Sequence, residues 1–367
     1  MNYSLFTSES VCAGHPDKIC DQISDAVVDA AIKNDPKSRV ACETLVTTQK
    51  VVLAGEVTCP KPIDFAQLVK DKVKELGYTE SVFGFDKTAD IEVYIHQQSP
   101  DIALGVDDGG AGDQGMMFGY ACRETPELMP LPITLAHEFC RGMDNLHSKY
   151  SWLRPDGKSE VAVNYENGHP VSVAKIVLAK PLNYQKIDQN EAKEILYQEV
   201  IKPIIVAYNL NLPALDEIIF NGTGKWAIGG PATDTGVTGR KIIVDTYGGM
   251  ARIGGGCFSG KDTTKVDRSA AYAARFIVKN IVAANLADRC EVQLAYAIGY
   301  RDPIAKAIET FGTAKKELKV IEDFAWKLLD LSVEGINQGL NLRQPIYQNT
   351  AKYGHFGYKA YPWEKIV

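Results

Sequence analysis

Residues 234–268 read DTGVTGRKIIVDTYGGMARIGGGCFSGKDTTKVDR. Eight glycines and six cations (Arg240, Lys241, Arg252, Lys261, Lys265, Arg268) stand there against four acids (Asp234, Asp245, Asp262, Asp267). The segment is therefore net +2 inside a chain of net −6. It falls outside the order of helices and strands that recurs along the rest of the chain. Glycine lets backbone N–H groups approach a ligand closely, and lysines on short loops add point charge. The combination suits a polyanion, foremost a nucleotide polyphosphate. A flexible basic surface loop fits less well, because Gly254-Gly255-Gly256 runs into Cys257-Phe258 and not into Ser/Pro filler.

Outward from this segment the hydrophobic period marks out three passes. The first opens with a helix from Pro16, with Ile19, Ile23, Val27 and Ala30 or Ala31 on one face, ending at Asn34-Asp35-Pro36. Strand patterns at 39–47 and 51–58, a helix near 63–76 and a strand at 91–96 follow. The second pass predicts a helix near 133–148, strands near 160–164 and 171–179, a helix near 190–208 and a strand at 217–220. The third predicts a helix near 267–287, strands at 291–298 and 304–311, and one long helix around 318–335. The repeat spacing of about 120–130 residues matches one domain per unit. Strand pairs flanked by helices imply an α+β fold of three similar domains. Each is a mainly antiparallel sheet with helices on one face.

A chain of 367 residues exceeds one ordinary core, and 45% hydrophobic with 23% charged residues is ordinary for a globular protein. The net negative charge argues against general nucleic-acid or membrane-surface binding. No apolar run approaches the roughly 20 residues that span a bilayer. The start, MNYSLFTSES, has neither a basic region nor an apolar core, so a cytoplasmic protein is expected. Eight cysteines (12, 20, 42, 59, 122, 140, 257, 290) include no Cys-x-x-Cys pair and read as reduced thiols. His137-Glu138 lacks a second histidine four residues on, so structural zinc is not expected.

Gln98–Gly115, QSPDIALGVDDGGAGDQG, also lies outside the repeat and reads either as a mobile lid or, over 102–110, as a connector. Gly14-His15-Pro16-Asp17-Lys18 opens the first helix, with proline at a favoured position and free N–H groups beside His15. His15 can donate to phosphate and Asp17 can hold a divalent metal; both can equally be caps. Glu43 and Glu56 sit in strand patterns, as solvent-facing residues or as site groups.

GHPDK, ACET, QSPDI, GAGDQG, WLRPDGKS, DTGVTGRKIIVDTYGGMARIGGGCFSGKD and KVDRSAAYAAR occur in the order found in S-adenosylmethionine synthetases, which the chain resembles from Phe6 to Lys365. The resemblance implies attack of the methionine sulfur on the ribose C5′ of ATP. Tripolyphosphate then leaves and is cleaved to diphosphate and phosphate. It implies three α+β domains in pseudo-three-fold arrangement: 1–100, a lid at 101–112, 113–230, and 231–367 with the phosphate loop. It also implies two Mg²⁺ per site, K⁺, and a homodimer that shares its sites and pairs into a homotetramer. Transferred to this chain, the catalytic positions are His15, Lys158, Arg240 and Lys261. Lys241, Lys265 and Asp156 add to the ATP side, with Lys225, Trp226, Asp234 and Cys257. Glu56, Gln98, Asp113, Asp234 and Lys265 surround methionine. Asp17 and Asp267 would hold Mg²⁺, and Glu43 K⁺.

Three departures stand out: Trp226 where the family commonly has phenylalanine, Cys257 in the glycine-rich loop, and a short lid. A phosphotransferase would carry a Walker-type Gly-Lys-Ser/Thr, but Gly260-Lys261 is followed by Asp262. A silent binding subunit would lack the competent residues found at each site position. A thioether needs no general base, so the task is alignment and stabilisation of the leaving charge.

Overall fold

The computed structural model describes residues 3–97 and 109–367. The first pass contains β1 (Leu5–Val11), α1 (Pro16–Asn34), β2 (Arg39–Thr47), β3 (Lys50–Thr58), α2 (Phe65–Glu75) and β4 (Asp90–His96). The second contains β5 (Gly115–Cys122), α3 (Leu131–Asn145), β6 (Lys158–Glu166), β7 (His169–Ala179), α4 (Gln189–Leu196), α5 (Lys202–Ala207) and β8 (Ile219–Phe220). The third contains β9 (Gly236–Val237), α6 (Ile242–Asp245), α7 (Val266–Ala283), β10 (Arg289–Tyr296), β11 (Ala305–Glu309), α8 (Leu318–Ala325) and α9 (Val333–Gly339).

Three sheets result, ordered β1-β6-β7-β8, β11-β10-β5 and β4-β3-β2-β9. Pairing is antiparallel except at β3–β4 and β7–β8, where helices supply the crossover a parallel pair requires. One long helix packs on each sheet: α3 on the first, α7 on the second, α1 on the third. This is the α+β architecture expected, with its layers as the pattern placed them.

Each sheet, however, includes a strand from another pass. β1 pairs with β6 along its whole length, from Leu5 opposite Asn164 to Val11 opposite Lys158. β5 pairs with β10, and β9 attaches to β2 at Leu45 and Val46. β1, β5 and β9 were not among the expected strands. β5 is glycine-interrupted and β9 spans only 2 residues, so neither shows a strand period.

Two helices also differ from expectation. The helix of 318–335 is broken after Ala325, because Asp330 accepts the Ser332 N–H and Ser332 Oγ caps α9 at Gly335. Between α4 and α5 the chain takes one wide π turn at Tyr197–Ile201. Pro203 follows it, and proline has no N–H to give to a regular helical ladder.

α1 is buried on nearly every side. Its apolar stripe faces the inward residues of β2 and β3, including Val40, Cys42, Val51 and Leu53. Its other stripe is acidic and equally buried: Asp17, Asp21, Asp25 and Asp29 are each at most 3% exposed. Asp25 forms a two-pronged ion pair with Arg268 of α7, at 2.7 and 2.6 Å, and both side chains are fully buried. The Arg268 guanidinium also lies 4.2 Å from the centroid of the Tyr347 ring. Lys18, likewise fully buried, is held by Asp21 and Asp245. All eight cysteines are free thiols.

Removing one partner of a buried ion pair leaves an uncompensated charge, at a cost of about 3–5 kcal/mol. Asp25→Ala is therefore expected to lower the urea midpoint strongly, while an Asp25→Leu, Arg268→Met double variant loses less. A midpoint for Asp25→Ala no lower than that of a surface substitution would show that the pair does not hold α1 to α7.

Candidate active site

The acidic stripe of α1 shapes the glycine-rich segment. Asp17 Oδ1 accepts the Val237 N–H at 3.0 Å and Asp21 Oδ1 the Gly239 N–H at 2.9 Å. Asp25 accepts the Gly260 N–H at 3.0 Å and the Ser259 hydroxyl at 3.1 Å. The segment is thus tied to α1 by its backbone at Val237, Gly239 and Gly260, near both ends, and Arg240, Lys241 and Lys261 project from beside these points.

A first cluster surrounds the N-terminus of α1. Lys241 Nζ donates to Asp17 Oδ2 at 2.5 Å, and Arg240 Nε stands 3.6 Å from Asp17 Oδ1. Burial would raise the Asp17 carboxyl, but the donors from Lys241 and Val237 outweigh it and hold Asp17 below its usual range. His15 is buried at the cap, with Nδ1 accepting the Asp17 N–H at 3.2 Å. Burial, then the charges of Lys241 and Lys158, depress the imidazole to about 3. His15 is therefore neutral, and with Nδ1 occupied as an acceptor its proton stands on Nε2. Tyr78 fixes the preceding turn by donating to Gly14 O at 2.5 Å.

Beside this cluster, Asp156 accepts the Gly157 and Gly230 N–H groups, both at 2.7 Å. Burial lifts it to about 6 despite those donors. The Gly229 backbone fits between Asp156 and the Trp226 ring, where an added Cβ would stand 2.9 Å from each. Trp226 is half-buried; Lys225 is exposed over the Tyr184 ring, and Asp234 is exposed as well.

A second cluster forms where β2 meets the segment again. Cys42 N–H donates to Gly260 O at 2.9 Å, and Ala41 bridges to Lys261. Glu56 stands opposite Ala41 on one side and His96 on the other, so His96, Glu56, Ala41 and Lys261 form one row across the sheet. This row, with Asp113, Lys265 and Asp267, lines a cleft of about 400 Å³. Lys261 pairs with Asp267 at 2.5 Å, and Lys265 with the buried Asp262. Gly254 and Gly256 are needed for contact: a Cβ would lie 1.5 Å from Met116 O or 2.2 Å from the Asp267 carboxyl carbon. Burial lifts Glu43, and Glu56 nearby lifts it further against the pull of Lys261. Burial likewise lifts the Cys257 thiol, which sits against Gly239 between the clusters.

The expected residues thus gather into two groups, with Asp234 and Lys225 at the margin and Gln98 outside the described residues. None of His15, Asp17, Arg240 or Lys241 lines the cleft of the second group. Sequence reading missed Lys18, Asp21, Asp25, Asp262 and Arg268, which position the groups. Acids at every fourth position of α1 were the available signal, and they resemble an ordinary solvated face.

Comparison with known proteins shows the family. Profiles described as the N-terminal, central and C-terminal domains of S-adenosylmethionine synthetase match residues 3–100, 108–226 and 228–365. The chain is 50% identical over 377 residues to an S-adenosylmethionine synthase of Treponema denticola, covering 100% of the chain and 96% of that protein. It is 49% identical over 381 residues to one of Desulforudis audaxviator, covering 99% and 96%.

His15 offers a direct check. A histidine whose folded value is depressed stays neutral as pH falls, and the unfolded chain takes up the proton first. Its contribution to stability is full above the unfolded value near 6.5 and fades as pH falls toward about 3. Imidazole NMR should show no His15 titration between about pH 8 and about pH 5. A midpoint near 6.5 would contradict the buried, cation-flanked position.

Proposed function

The chain belongs to the S-adenosylmethionine synthetase family, and from that premise we propose how its two clusters serve the reaction. The chain forms S-adenosylmethionine from ATP and L-methionine. Sulfur attacks the ribose C5′, and tripolyphosphate leaves to become diphosphate and phosphate. The observation that carries the site assignment is the row of tied backbone amides and lysines along α1, beside a neutral His15.

In this reading the His15 Nε2–H donates to the leaving oxygen at the breaking bond. Lys158, Arg240, Lys241, Lys261 and Lys265 take the phosphate oxygens, with Cys257 beside them. Asp156 fixes the Gly229–Gly230 turn against the nucleoside, Trp226 offers a ring face to adenine, and Lys225 and Asp234 stand at the rim. Glu56, Asp113 and Gln98 receive methionine, and acids there balance its ammonium and the forming sulfonium. A fixed donor aimed at developing charge contributes about 3–4 kcal/mol, and alignment up to about 7–11 kcal/mol.

Asp17 and Asp267 suit Mg²⁺, which takes one or two carboxylates and completes its shell with phosphate and water oxygens. Among the described residues no three His, Cys, Asp or Glu side chains gather as a metal cage, which agrees with a metal carried largely by the substrate. Glu43, lifted by burial and further by Glu56, would be relieved by a nearby cation and is the residue that would hold K⁺. Bound Mg²⁺ would neutralise charge on the leaving tripolyphosphate.

We place the two clusters of one chain in two different sites of a homodimer, each site taking one cluster from each subunit; dimers then pair. Two observations support this. The Glu56 cleft lacks the His15 cluster, and the sheet faces away from α1 and α7 are open. Leu45, Ala54, Met116, Ala305 and Ala307 are exposed there. Domain seams near 100, 112 and 230 belong to the same proposal, with 101–112 as the lid; residues 98–108 lie outside those described. Among the described residues no helix is long and apolar enough to cross a membrane, and we assign the chain to the cytoplasm.

With ATP, methionine and Mg²⁺, the purified chain should yield S-adenosylmethionine, diphosphate and phosphate. His15→Ala should lower kcat by about 10²–10³-fold while ATP still binds; an unchanged kcat would remove His15 from the chemistry. Asp17→Asn and Asp267→Asn should each be inactive. When the two are refolded together, mixed dimers should regain activity through one intact site. A mixture as inactive as its parents would place each site within one chain.

A further inference from the structure

Away from both clusters, a cleft of about 890 Å³ opens between α3, the end of α5 and the C-terminal tail. Tyr208, Phe356 and Tyr358 line it, over a floor that includes Met129 and Leu131. The π turn before α5 and the packing of Gly142 against Val200 set the wall that carries Tyr208.

Three carboxylates line the cleft, Glu124, Glu127 and Glu138, and two of their oxygens have no donor. Glu124 accepts the Tyr165 hydroxyl at 2.8 Å and the Leu131 N–H at 3.0 Å through Oε2, but its buried Oε1 has no partner. Glu127 Oε2 is likewise buried and unpartnered. Glu138 is held by Arg141, whose guanidinium lies 5.8 Å from the centroid of the Tyr358 ring. His137 also lines the cleft and is 3% exposed; Ser10 engages its Nδ1 at 2.8 Å, and its Nε2 is unpartnered. Burial keeps that ring neutral.

Buried acceptors without donors are costly, and a bound donor relieves the cost. Aromatic faces attract cations, and apolar floors take carbon skeletons. The remaining cation of the wall, Lys359, is exposed. We infer that this cleft binds a small organic ammonium cation with a ring-sized apolar body. The ammonium meets the Glu124 and Glu127 carboxylates as their closed-off oxygens turn toward the cleft, and the ring packs among Tyr208, Phe356 and Tyr358. The site is separate from the catalytic clusters and is independent of the reaction assigned to them.

Ligand-observed NMR on the full chain with phenethylamine tests this. Binding at about 1 mM or tighter is expected, with the neutral 2-phenylethanol at least about tenfold weaker. Glu127→Gln should weaken the amine by about tenfold, and Ala207→Trp, exposed at the rim, by at least as much, while both still form S-adenosylmethionine. If Ala207→Trp fails to fold, Val171→Trp on the same rim replaces it. Equal binding of amine and alcohol, or full-strength amine binding by the variants, would overturn the inference. So would no binding at about 10 mM, leaving a water-filled cleft.

Discussion

Asp17, Asp21, Asp25 and Asp29 stand four residues apart on α1, and each accepts a backbone N–H from residues 218 to 319 positions away. A carboxylate buried without donors costs several kcal/mol, and so does an amide without an acceptor. Here each satisfies the other. Asp29 extends the arrangement to the tail by taking the Tyr347 and Gln348 N–H groups at 2.9 and 3.0 Å. Burial still raises Asp21 and Asp29, so the solvation they lose is not fully returned. What results is a loop with a defined path, although its sequence is rich in glycine.

The same logic governs the lysines. A chain of net −6 concentrates cations in one segment, and its three lysines, like its arginines, already rest on carboxylates: Lys241 on Asp17, Lys261 on Asp267, Lys265 on Asp262. An incoming polyphosphate meets ammonium groups already fixed in place and competes only for their last donor positions. Preorganisation of this kind separates a site that stabilises developing charge from a merely basic patch. Asp262 is the more permanent of these anchors, since it also accepts from Val40 and Thr264.

Much of this was legible in advance. α1 could be read to its last residue, because Pro16 and Asn34-Asp35-Pro36 bound a clear 3.6-residue period. β2, β3, β6 and β7 followed from alternation, and motif order picked out residues that gather in two clusters. Less legible were the features that depend on distant partners. Acids at 17, 21, 25 and 29 look solvent-facing until the amides that cover them are known. β5 and β9 exist because β10 and β2 present edges to them, and their own residues carry no alternation. The break at Asp330–Ser332 rests on two local side-chain caps, which the hydrophobic period conceals. Lys225 and Asp234 came from motif position alone, and each sits at the margin of the site.

The exchange of strands between passes also bears on biosynthesis. During translation β1 emerges first, yet its partner begins at Lys158; β5 must wait for Arg289. Only the sheet β1-β6-β7-β8 can close before the last third is made; the other two wait for β9, β10 and β11, so strict domain-by-domain maturation does not fit this topology. Loop closure over such spans slows assembly and leaves strand edges open in the interim. Growing chains of this enzyme therefore have reason to engage chaperones until the last third has been made.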